Sequence, residues 1–100
     1  MAKLRWSVEK DLLLKSHPDR NACFEDVVLA IEDGDLLDDV PHPNQIKYPQ
    51  QRMLVVRIAG YAYAVPYVRV EDGSLFLKTV FPSRVLTKRY LTDGADEQDT

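Results

Sequence analysis

Eight bases fall between Val40 and Thr92: Lys47, Arg52, Arg57, Arg69, Lys78, Arg84, Lys88 and Arg89. Only Glu71 and Asp72 oppose them, so the stretch carries a local balance of +6. Fixed guanidinium and ammonium charge suits an anion, and above all the charge that develops on a phosphate during transfer. No other set competes for chemistry. His17 and His42 stand alone, and the single Cys23 has no Cys or His close by in sequence, which argues against a metal site or a reactive thiol. P-loop, GxGxxG, GxSxG and HExxH patterns are missing, so no metal and no cofactor is expected. The bases themselves leave two readings open. One face meets an anion, or Arg and Lys simply line a solvated sheet surface.

The remaining charge is segregated. Seven acids (Glu25, Asp26, Glu32, Asp33, Asp35, Asp38, Asp39) and no base lie between Glu25 and Asp39, and four more (Asp93, Asp96, Glu97, Asp99) follow Thr92. A net charge of −3 therefore conceals a basic half. The 100 residues, 45% of them hydrophobic and 29% charged, bound a single small globular domain. No apolar run approaches the ~18–20 residues that span a bilayer. The first ten residues lack the apolar core of a leader peptide, and the unpaired cysteine fits a reducing compartment, so a cytoplasmic protein with no membrane contact is expected.

The elements that must position these bases run from Arg52 to Leu91. Met53–Ile58, Tyr61–Arg69 and Leu75–Phe81 read as three antiparallel strands. Gly60 supplies a positive φ between the first two, and Asp72-Gly73 predicts a type I′ hairpin between the second and third. Period-2 alternation puts Leu54, Val56 and Ile58 on one face and Met53, Val55 and Arg57 on the other. Tyr61, Tyr63, Val65 and Tyr67 likewise share a face. Both faces are fairly apolar, so helices are expected over one and partial cover over the other. Pro66 predicts a bulge or a strand end. Ser83 caps a last helix that runs to about Leu91.

Upstream, residues 3–6 predict a short edge strand. Ser7 caps a helix to about His17 with Val8, Leu12 and Leu13 as its apolar stripe, and Pro18 and Asn21 shape the exit. A second helix, from about Cys23 to Asp33, has the stripe Phe24, Val27, Val28, Ile31 and is closed by Gly34. Residues 35–51, with Pro41, Pro43 and Pro49, read as a long polar connection. The expected fold is α+β: two N-terminal helices packed on a twisted antiparallel sheet of three to four strands, then a short C-terminal helix. The domain covers residues 1–92, and an acidic tail over 93–100 is expected to be disordered.

Trp6 and Lys10 in WSVEK, then CFEDVVLAIEDGDLLD, HPNQIKYPQQRMLVV and GYAYAVPYV, and the ending LKTVFPSRVLTKRYL resemble, in that order, the small toxins of bacterial type II toxin–antitoxin systems. The BrnT-like branch of the RelE superfamily is the nearest group. The chain departs from that pattern at Arg20-Asn21-Ala22-Cys23, where the family has a glycine and a serine cap, and around His17-Pro18, where about two residues are extra.

The resemblance implies a metal-independent ribonuclease that stops translation by cutting RNA. It also implies a cognate antitoxin, usually a ribbon-helix-helix protein, through which alone DNA is contacted. Arg52 and Arg84 are then the phosphate clamps. Lys10, Arg20 and Lys78 complete the catalytic set, while Lys47, Arg57, Tyr67, Lys88 and Arg89 bind RNA. The second reading is a non-catalytic protein-interaction module, a degenerate toxin.

Overall fold

In the computed structural model, described over residues 3–16 and 22–91, the central hairpin is the anticipated one. β3 (Arg52–Ile58) and β4 (Tyr61–Arg69) pair antiparallel from Arg52↔Tyr67 to Ile58↔Tyr61. The two-residue turn has φ of +53° at Ala59 and +79° at Gly60. Both central residues are left-handed, as a type I′ turn requires, and Ala59 bears the steric cost of its Cβ there. The turn at Asp72-Gly73 differs from the expected type I′. Ala59 is the one positive-φ non-glycine residue among those described, so Asp72 is not left-handed. Gly73 N–H donates to Val70 O and Val70 N–H to Ser74 O, giving a three-residue loop with its left-handed position at Gly73 (φ +89°).

The sheet is larger than expected and mixed. Its order is β1-β5-β4-β3-β2, with β6 also on β4. β1 (Leu4–Arg5) runs parallel to β5 (Leu75–Leu77), and the other pairings are antiparallel. A sixth strand length comes from the supposed connection over residues 35–51: β2 (Leu36–Pro41) pairs with β3 through a register shift between Leu36 and Asp38. Prolines and acids hid it, because Pro41 sits at the strand's end and the strand lies on the sheet edge, where a proline is tolerated.

The third predicted strand is split. β5 stops at Leu77, and residues 78–80 step aside before β6 (Phe81–Pro82) returns to β4. That step changes the phase: Leu75, Leu77 and Val80 enter one core and Phe81 the other. Pro66 makes no bulge. It pairs in register with Met53, and its carbonyl accepts from Lys78 N–H at 2.8 Å. Its nitrogen therefore points toward the 78–80 step and leaves the β3 ladder intact.

Each face of the hairpin has its own core. Leu54, Val56, Tyr63, Val65 and Tyr67 pack with Phe24, Val27 and Ala30 of α2 (Phe24–Glu32) and Leu14 of α1 (Val8–Ser16). Trp6 stacks on Phe24 with ring centroids 5.5 Å apart. On the other face Met53, Val55, Ala62 and Ala64 pack with Leu86 of α3 (Arg84–Leu91). The α2 stripe is rotated slightly from expectation, with Ala30 more buried than Val28 and Ile31.

α1 is turned further. Val8, Leu12 and Leu13 are 71%, 60% and 57% exposed, and its inward residues are Leu14 and Asp11. The cause lies in hydrogen bonding. The buried Asp11 carboxylate accepts from Phe24 N–H at 3.3 Å, the first turn of α2, and pairs with Lys15 at 3.1 Å. A helix N-terminus attracts that carboxylate and fixes the rotation of α1.

Cysteine is a poor N-cap, and at Cys23 the deficit is compensated in the same way. Asp26 accepts from the Cys23 backbone N–H at 2.9 Å and from Sγ at 3.4 Å. Gly34, at φ +84°, ends α2 with Asp35 N–H donating to Ala30 O, a Schellman closure. Arg20, the expected features at His17, Pro18 and Asn21, and the tail over 93–100 lie outside the described residues.

Two stability outcomes follow from these turns and caps. Asp11→Ala removes a buried cap and is expected to cost about 1–2 kcal/mol in urea unfolding, whereas Leu12→Ala is near neutral. Ala59→Gly relieves the left-handed Cβ and is expected to raise stability by about 0.5–1 kcal/mol in the same assay. An unchanged or lower midpoint would contradict strain at that turn.

Candidate functional site

β2 supplies partners that the sequence alone did not reveal. Asp39 on β2 receives a bond from Arg52 Nε at 3.2 Å, while its backbone carbonyl accepts from Arg52 Nη2 at 3.0 Å. Tyr67 Oη donates to the same carboxylate at 2.8 Å. Arg52 and Tyr67 face each other across the β3–β4 ladder, so three strands converge on one carboxylate. Tyr67 and then Asp39 push the Arg52 pKa further up. Burial, then the Asp39 bond, raises the Tyr67 phenol. The Tyr67 side chain is fully buried apart from this reach, so it offers no free ring face for a nucleobase.

Arg57 is likewise engaged. Its Nη2 lies 2.6 Å from Asp35 Oδ1, and its backbone N–H donates to Asp35 O. Lys47 and Lys78 are exposed and lie over the rings of Tyr48 and Phe76, at 5.3 and 5.5 Å. Lys10 sits in the first turn of α1, where its N–H donates to the capping Ser7 Oγ. Arg20 is outside the described residues. The predicted catalytic set is thus dispersed. Arg52 belongs to the face of β3 covered by α1 and α2, since it shares the alternation of Leu54 and Val56. Arg84 belongs to α3 on the opposite face. The sheet separates the two expected clamps.

Three predicted residues do come together. α3 begins at Ser83, whose Oγ accepts from Leu86 N–H at 3.1 Å. Thr87 Oγ1 donates to Ser83 O and accepts from Ala62 N–H at 2.9 Å, so the helix is stitched to β4. With Leu86 turned to the sheet, the 100° step of the helix places Arg84 and Lys88 on the outer face and Val85 and Arg89 on the flank beside it, and all four are exposed.

Beside them lies a groove of about 480 Å³. Met53, Ala64, Phe81 and Leu86 form its apolar floor, and Pro41, Val85 and Arg89 its rims. Tyr90 closes one side and donates to Asp38 on β2 at 2.5 Å. That bond lowers the Asp38 pKa and, together with burial, raises that of Tyr90. The pair spans β2 and α3, neighbours in space but 52 positions apart. Only recognition of β2 as a strand would have exposed it. Among the described residues no group of His, Cys, Asp and Glu is arranged to hold a metal. Comparison with known proteins finds no matching family model, no matching curated protein and no matching solved structure.

The Asp38–Tyr90 bond carries a pH signature. Because the folded Asp38 pKa is depressed, its contribution is present above the ordinary value near ~3.9 and is lost as pH falls through the folded value. The Tm difference between the wild type and Tyr90→Phe is therefore expected to shrink as the pH is taken from 7 to 3. A difference that is constant across that range would show that the bond does not depend on an ionised Asp38.

Proposed function

We propose that the chain is a toxin-type ribonuclease that engages RNA through α3, and that its cognate partner is an antitoxin. The observation that carries this reading is the set of exposed bases on α3, Arg84 and Lys88 on its outer face and Arg89 on the rim of an open groove. Their fixed charges suit the non-bridging phosphate oxygens, whose negative charge increases as a 2′-oxygen attacks phosphorus. An Arg fork gives that contact direction as well as charge. Tyr90 lines the same groove, but its hydroxyl proton is committed to Asp38 and its pKa is raised, so the pair holds α3 against β2 rather than supplying the proton that the departing 5′-oxygen takes. Arg84 takes the clamp role. Arg52, fixed by Asp39 and Tyr67 on the other side of the sheet, secures β2 and is assigned no contact with the reacting phosphate.

A second reading rests on a specific feature: the groove floor is apolar and Val85 stands 65% exposed among the bases. Such a surface also suits a protein partner without catalysis.

Induced expression in a bacterial host, with growth and total RNA followed together, separates the two. Arrest with RNA cleavage is expected for the wild type, with loss of both in Arg84→Ala and a cleavage rate about 10²-fold lower for the purified variant. Normal growth and intact RNA from a folded wild-type protein would favour the interaction module.

A further inference from the structure

The second apolar face of the sheet is wider than the helix laid over it. Val40 of β2 stands opposite Met53 of β3, and Ala64 of β4 stands opposite Phe81 of β6. Met53 and Ala64 are diagonal neighbours across the β3–β4 ladder. The four side chains therefore form one apolar row across four strands. α3 runs only from Arg84 to Leu91 and is ~12 Å long. It covers part of the row and leaves the groove of about 480 Å³ between itself and β2. The short Ala64 side chain, between Met53 and Phe81, makes room for it. We propose that this groove binds a single-chain amphiphile with a carboxylate head. The chain lies along the apolar row, and Arg89 takes the head.

Charge and polarity support that occupant. The wall formed by α3 changes character along its length. Val85 and Arg89 are one turn apart on one flank, and Leu86 and Tyr90 are one turn apart beside them. The first turn of the wall is thus apolar, and Ser83 before it is already used as the helix cap. The next turn carries a guanidinium and a phenol, and the phenol donates to Asp38. Among the described residues, Arg89 is the one charged side chain that lines the groove, and it pairs with no carboxylate. Tyr90 feels its charge, yet a guanidinium has five N–H donors and keeps a fork for a carboxylate. A single cation suits a head with a single charge, which favours a carboxylate over a phosphate monoester. Met53, Ala64 and Phe81 offer no side-chain hydrogen-bond partner for a polar body, so the body of the occupant has to be apolar. The volume is in the range of sites that hold small organic molecules. Binding of such a ligand requires no RNA activity.

The experiment titrates octanoate into the full chain and follows the methyl signals of Met53, Ala64 and Val85 by NMR, together with the Arg89 Nε–Hε signal. All are expected to move with one midpoint. Lengthening the chain from hexanoate to octanoate to decanoate is expected to tighten binding about 4-fold or more at each step. Arg89→Gln, at an exposed position, is expected to weaken octanoate binding about 3–5-fold and to leave the binding of octan-1-ol unchanged. Methyl signals that stay in place up to about 5 mM octanoate would overturn the site. So would equal affinities along the chain series, which would remove the apolar row from it, or octanoate binding that ignores Arg89→Gln, which would remove the head contact. Methyl signals that shift with protein concentration alone, without ligand, would assign the groove to a second copy of the chain and overturn the proposal.

Discussion

A hairpin that is apolar on both faces has to be covered twice. Residues 62–67 of β4 are all buried, as are residues 53–56 of β3, and alternation sends half of each to either side. Neither layer of cover is dispensable, because exposing one face would present a continuous apolar surface to water. α2 with α1 meets the demand on one side, and α3 meets it on the other. The rest of the architecture follows from bringing short helices to the right places. Ser83 and Thr87 tie α3 to β4, and Asp11 ties α1 to the start of α2.

Much of this was legible in the sequence, for reasons that can be stated. The hairpin strands, their inward and outward faces, the bounds of α2 and the Ser83 cap all depend on local pattern, and local pattern is what a sequence displays. The errors arose where a distant partner overrode a local preference. α1 offers Val8, Leu12 and Leu13 as its apolar stripe, yet a carboxylate at Asp11 is drawn inward by a helix terminus thirteen residues on. β2 carries two acids at its centre and ends in a proline, and exists because β3 has an edge to fill. β5 and β6 read as one strand because nothing local marks the step at 78–80 that moves the chain along β4.

The misreading of β2 had the largest effect on the candidate site. With Asp35 and Asp39 in a solvated loop, the bases of the sheet looked available to an anion. As a strand and its entry, this stretch places those acids against Arg57 and Arg52. The positive charge of the sheet is thereby largely answered from within. Arg84 and Arg89 of α3 take no part in these pairs. The family resemblance pointed to Arg52 and Arg84 together, but a residue pattern carries no information about which side of a sheet each one occupies.

The parallel pairing of β1 with β5 has a bearing on how the chain reaches this state. Leu4 lies opposite Leu75, so the outermost strand closes a loop of about 70 residues, while β3 and β4 need only the two-residue turn at Ala59-Gly60. Closing the long loop carries the greater entropic cost, and hairpins form on the microsecond scale. β1 has no docking edge until residues 75–77 have joined β4. β1 therefore joins the sheet only after β5, whereas β3 and β4 can pair without either.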